Sequence, residues 1–135
     1  MCIYLLLICF KNFYYFSWDQ QYLLEQKNFE EIGDRGEVWF GEGAMNRMIR
    51  WLEKNVSTSS NIIDVGCGNG VMSIELYEVG FKNILGVDYS SHAIELAQKI
   101  ANENENEELK FKVSNVVLEA LLMGSVTFNQ KIKNL

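Results

Sequence analysis

A short apolar run, Asn61-Ile62-Ile63-Asp64-Val65, leads directly into three alternating glycines, Gly66, Gly68 and Gly70. From Val71 onward the apolar residues recur at helical spacing. A buried strand that turns sharply into a helix fits this pattern, with the backbone stripped of Cβ atoms at the turn. Such a turn lets a ligand approach the main chain closely. At the carboxyl end of a parallel strand it also opens the crevice where α/β folds bind nucleoside-bearing cofactors.

Spacing separates two cofactor classes. A dinucleotide fingerprint starting at Gly66 needs glycine at position 71, where the chain has Val71. The run from Asp64 to Gly70 has the form D-x-G-x-G-x-G instead. It resembles the first motif of class I methyltransferases, and it points to S-adenosylmethionine. A glycine-rich turn with no ligand is the plain alternative, and a second element weighs against it. Asp88 ends the next apolar run, 84–87, about 20 residues after the glycines, where an acid can accept both ribose hydroxyls. By itself Asp88 reads equally as a charge stabilised at the start of the following helix.

Other residues near these two elements carry two readings each. Tyr89 can cover one face of an adenine ring or simply pack. Asp64 lies where the methionine ammonium would sit, and a loop-capping carboxylate is compatible with that role. Asn115 follows the third apolar run, where the resemblance to class I methyltransferases implies a side chain that meets the adenine amino group, although asparagine is also an ordinary turn residue. Cys67 has no predictable base beside it, so a small residue suited to a tight turn is preferred to a nucleophile. His92, the single histidine, is expected to cap a helix or face solvent. No catalytic residue can be named.

The glycine turn sits within a regular order of elements. Helices are expected over 18–32, with Trp18, Tyr22 and Phe29 on one face and charges on the other, and over 44–54, with Met48, Ile49 and Leu52 buried. Strands follow at 62–65, 84–87 and 109–113. Between them lie helices at 71–79, closed by Gly80, and from about 91 to 101, capped by Ser90 or Ser91, with Ala93, Ile94, Ala97 and Ile100 inward. Alternation of strand and helix implies an α/β fold with a parallel sheet of three strands and flanking helices, preceded by N-terminal helices. The expected organisation is an atypical extension at 1–17, a cofactor-binding methyltransferase half-domain at 18–115, and a divergent tail at 116–135.

Composition narrows the function classes. The 135 residues suffice for one domain, and 48% are hydrophobic, so a packed core is expected. A net charge of −6 disfavours nucleic-acid binding and suits a basic protein substrate. Cys2, Cys9 and Cys67 form neither a disulfide framework nor a metal-ligand spacing, so no metal is expected. Acidic residues around 102–108 read as a solvated linker. Residues 1–10 are apolar, but Lys11 and Asn12 end the run well short of the about 20 residues that a membrane span needs. The run also lacks the basic start and small-residue cleavage site of a signal peptide. No membrane association is expected.

Residues 28–42 (NFEEIGDRGEVWFGE) and 45–51 (MNRMIRW), together with the glycine motif, 80–90 and 93–96, resemble a family of eukaryotic protein-lysine methyltransferases that act on elongation factor 1-alpha. The similarity runs from Trp18 to about Val113, and Gly36-Glu37-Val38-Trp39-Phe40-Gly41-Glu42 is its most specific part. It implies a Rossmann-like class I fold, S-adenosylmethionine as methyl donor, elongation factor 1-alpha as partner and a cytoplasmic location. It also implies that Trp39 and Phe40 border the cofactor and acceptor site; alternatively they pin the N-terminal segment to the sheet. Residues 1–17 do not follow the family, and neither does the chain after the third strand. The family places a fourth strand and the acceptor-lysine pocket beyond that point. The expected consequences are an unpaired edge on strand 62–65, marginal stability and weak or absent catalysis. The alternative function is an inactive fragment that binds cofactor or a partner.

Overall fold

The computed structural model describes residues 2–6, 18–106 and 108–114. Four parallel strands form one sheet in the order β1-β2-β3-β4, with β1 at Cys2–Leu6, β2 at Asn61–Val65, β3 at Ile84–Asp88 and β4 at Lys110–Val113. Helices α1 (Trp18–Ile32) and α2 (Glu42–Asn55) precede β2, while α3 (Val71–Glu78) and α4 (Ser91–Glu103) link the last three strands.

The three expected strands form the parallel sheet, and Cys2–Leu6 joins them as a fourth among the described residues. The added strand corrects one expectation: β2 is not left with a bare edge. Residues Cys2 to Leu6 pair in register with Asn61 to Val65, so β2 has a partner on each side. The physical reason is the cost of leaving main-chain N–H and C=O groups unpaired along an apolar strand. Part of the apolar N-terminal run, set apart as an extension outside the domain, meets that need.

Local chemistry explains the helix boundaries. Ser90 caps α4, its Oγ accepting from the backbone N–H of Ala93 at 3.2 Å. At the end of α3, Gly80 N donates to Tyr77 O and Phe81 N to Leu76 O, with Gly80 at φ +113. That is the paired-bond ending in which glycine relieves the Cβ conflict of a left-handed residue. The core forms where Ile62 and Ile84 meet Ile74, Leu76, Leu96 and Ile100, with Phe81 and Leu109 buried beside them. Helix α2 buries Met45, Ile49 and Leu52, while Met48 is only partly covered. Leu96 likewise takes the buried place on α4 that was expected of Ile94.

Helix α1 runs alongside α4 in the same direction. Asp19 meets Ser90 and His92, Gln26 meets Glu95, Glu30 meets Lys99, and Arg35 just beyond α1 meets Asn104. Tyr22 and Phe29 face the core as expected, but Glu25 and Gln26 are also buried. The charged residues of α1 therefore do not all lie on its outer face. Packing of α1 on α4 carries its first residues to the carboxyl ends of β2 and β3.

Candidate functional site

The glycine turn after β2 docks on the neighbouring strand. Gly66 N and Cys67 N both donate to the Val87 carbonyl, at 2.8 and 3.1 Å. Gly66, Gly68 and Gly70 all have positive φ, at +76, +54 and +75. Protein packing also demands two of them. A Cβ on Gly70 would stand 2.7 Å from Ala97 Cβ and 2.8 Å from the Phe111 ring, and one on Gly68 would collide with the Tyr22 hydroxyl. The backbone thus lies close to its own protein as well as to an open pocket.

That pocket has the turn as its floor, and Asp64, Gly66 and Gly68 line it. Trp18 and Tyr22 of α1 form one wall, and Asp88 and Tyr89 at the end of β3 form another. The strap between α1 and α2 contributes Glu37, Val38, Trp39 and Phe40. Trp18 meets Trp39 edge to face with ring centroids 4.9 Å apart.

Two acids sit at adjacent strand ends. Asp88 is 6% exposed; its Oδ2 accepts from Gly68 N and its Oδ1 from Ser90 N, each at 3.0 Å. With the Tyr89 N–H also directed at this carboxylate, its two oxygens still keep acceptor capacity for a further donor. Burial raises the Asp88 carboxyl above its ordinary range, and the N–H donors from Ser90, Gly68 and Tyr89 work against that rise. Asp64 is fully buried. Its Oδ2 accepts from Ser73 Oγ at 2.7 Å, while Oδ1 has no partner. Burial pushes this carboxyl up to about 6, opposed by the Ser73 bond and assisted by the charge of Asp88. A buried carboxylate oxygen with no donor, at a pocket floor, fits a cationic or hydrogen-bonding ligand group.

Asp64, Gly66, Gly68, Asp88, Tyr89, Trp39 and Phe40 are brought to one pocket. Gly70 shapes the turn from beneath, starting α3 as its left-handed N-cap. Asn115 lies outside the described residues. Burial pushes the Cys67 thiol up, which leaves little thiolate for nucleophilic chemistry. His92 is partly covered, with Nδ1 2.9 Å from Asp19 Oδ1. Among the described residues no group of three or more metal-binding side chains is present, and no helix is long and apolar enough to cross a membrane.

Sequence reasoning missed Trp18, Tyr22 and Asn69 as residues lining the pocket, whereas Glu37 belongs to the segment 37–42 that the family resemblance placed at its border. For Trp18 and Tyr22 the helical spacing signalled only burial. Asn69 fills a variable position of the motif, and no local pattern marks its side chain.

Residues 57–127 match the family model described as "Methyltransferase domain". EEF1A lysine methyltransferase 2 of Homo sapiens is 44% identical over 99 residues, covering 73% of this chain and 42% of that protein. Protein-lysine N-methyltransferase efm4 of Schizosaccharomyces pombe is 36% identical over 119 residues, covering 76% of this chain and 50% of the relative. The chain thus spans about half or less of the length of these relatives. Among solved structures, the magnesium protoporphyrin IX methyltransferase of Synechocystis PCC 6803 with bound SAM aligns with a TM-score of 0.51 at 23% identity, covering 71% of this chain and 55% of that one. The [4+2]-cyclase SpnF aligns at 0.54 and 15%, covering 74% and 43%. These two likenesses concern the fold, and their differing chemistries show why the fold alone assigns no reaction.

Proposed function

From a chain that belongs to the methyltransferase-domain family, we propose a protein that binds S-adenosylmethionine over the glycine turn and serves as the donor-binding part of a protein-lysine N-methyltransferase acting on elongation factor 1-alpha. One observation carries the reading: the 3.0 Å bond from Gly68 N to Asp88 Oδ2. It joins the glycine turn to the acid, whose carboxylate keeps acceptor capacity for a ribose hydroxyl. Val71 in place of a sixth-position glycine supports the sulfonium cofactor over a dinucleotide.

When bound, the cofactor supplies an electrophilic methyl group. The work of this chain is binding and alignment. Asp88 holds the ribose, Tyr89 walls the adenine, and the unpartnered oxygen of Asp64 attracts the ammonium. Trp39 and Phe40 border the site on the acceptor side and exclude water from it. Elongation factor 1-alpha as substrate and the cytoplasm as location follow from the relatives and belong to the proposal.

Titration calorimetry with S-adenosylhomocysteine tests the cofactor, and transfer of labelled methyl groups to purified elongation factor 1-alpha tests the reaction. Micromolar binding is expected; a folded chain that binds none refutes the reading. In a second reading the chain binds the cofactor or a partner without catalysing transfer. It is favoured because the polar groups assigned at the pocket, Asp64 and Asp88, serve the donor. Binding without methyl transfer selects it.

A further inference from the structure

Asn69 stands between Gly68 and Gly70 and is 6% exposed. Its backbone does not require asparagine, because Glu105 is the one described non-glycine residue with positive φ. Its side chain does have a task. Asn69 Nδ2 donates to the carbonyls of Arg35 at 2.9 Å and Glu37 at 3.2 Å. Val71 N approaches Asn69 Oδ1 at 3.5 Å, which sets the orientation of the amide. The two carbonyls flank Gly36, at φ +79, where an added Cβ would collide with the Glu25 carboxylate and stand 3.4 Å from Asn69 Nδ2. The positive φ at Gly36 favours glycine at the centre of the strap, where the Glu25 carboxylate of α1 also stands close. At its start, Arg35 also bonds Asn104 beyond α4 at 2.6 Å, and Gly36 N bonds Asp34 Oδ1 at 3.1 Å.

We infer that Asn69 is a positioning residue whose amide clamps the strap of residues 33–41 to the glycine turn, holding Glu37, Trp39 and Phe40 over the pocket. The ligand of that pocket rests on the function proposed above; the clamp itself does not. Two bonds from one amide to carbonyls on either side of Gly36 allow little sliding. Cofactor binding at the turn and the aromatic wall of the strap are thereby coupled through one side chain.

Trypsin reads the clamp directly, because the carbonyl held by Asn69 belongs to the Arg35–Gly36 bond that trypsin cuts. Cleavage of a locally opened segment follows the opening equilibrium when reclosing is fast. In Asn69→Ala, cleavage after Arg35 should rise about tenfold while cleavage after Arg50 in α2 stays constant. Asn69→Asp keeps the shape but loses the donor, so it should be opened at least as much. Asn69→Gln keeps the donor and should recover part of the protection. Wild-type protection in Asn69→Asp, or an equal rise at Arg35 and Arg50, would overturn the clamp. Affinity for S-adenosylhomocysteine gives a second reading. The effect of Asn69→Ala should largely vanish in a Trp39→Ala background, and additive effects would contradict action through the strap. If the wild-type chain binds no S-adenosylhomocysteine, the cofactor reading fails, while the proteolysis still decides the clamp.

Discussion

Asp64→Asn separates what the fold wants from what the site needs. Asp64 is fully buried, with one oxygen bonded to Ser73 and the other unpartnered. Burial moves its carboxyl from 3.8 to about 6. That difference corresponds to about 3 kcal/mol of destabilisation when the group is ionised in both the folded and unfolded states. The folded-state value lies above the unfolded one. The contribution of Asp64 to folding is therefore fully present below pH 3.8 and lost as pH rises through about 6. Asparagine does not titrate and can still accept the Ser73 bond. Its own buried N–H lacks an acceptor at the Oδ1 position, which gives back about 1 kcal/mol. The net expectation at pH 7 is a gain of about 2 kcal/mol, or roughly 7 °C in the unfolding midpoint. Thermal unfolding of both proteins between pH 3.5 and 8 measures this. The gain should shrink steadily below pH 6, vanish at about pH 4.5 and turn into a loss of up to about 1 kcal/mol below pH 4. A variant no more stable than wild type at pH 7, or a gain independent of pH, refutes the electrostatic argument. The same substitution should weaken S-adenosylhomocysteine binding, because the charge that costs stability is the charge offered to the ligand ammonium.

Three further outcomes are expected. Asp88→Ala removes the acceptor for Gly68 N and Ser90 N as well as the ribose partner, so affinity for S-adenosylhomocysteine should fall by at least about thirtyfold by calorimetry. Gly70→Ala drives a methyl group against Ala97 and Phe111 at a φ of +75; a loss of at least about 3 kcal/mol in urea unfolding is expected, and near-neutral behaviour would contradict the packing described. Deleting residues 1–6 removes the partner of β2 on one side, and light scattering should show concentration-dependent association of the shortened chain through the bared edge.

Some of the fold was legible because it is written locally. The period of apolar residues gave α1, and Ser90 and Gly80 marked helix ends by chemistry that involves only neighbouring residues. The β1 strand was not legible. Its five residues carry an apolar signal that suits a strand, a short helix or an extension equally, and its pairing partner lies 59 positions away, Cys2 against Asn61. Likewise Glu25 reads as a surface charge from its spacing, yet the close approach of Gly36 buries it.

By itself the sequence determined the turn at Asp64 to Gly70, the class of ligand it suits and the acid at Asp88, because alternating glycines and a spaced carboxylate act through local backbone geometry. Only the tertiary structure decided what surrounds that turn. It set Tyr22 over Gly68, tied Asn69 to the strap and left one oxygen of Asp64 without a partner. Each of these depends on contacts between segments far apart in the chain, and such contacts follow from how helices pack on the sheet rather than from any residue pattern along it.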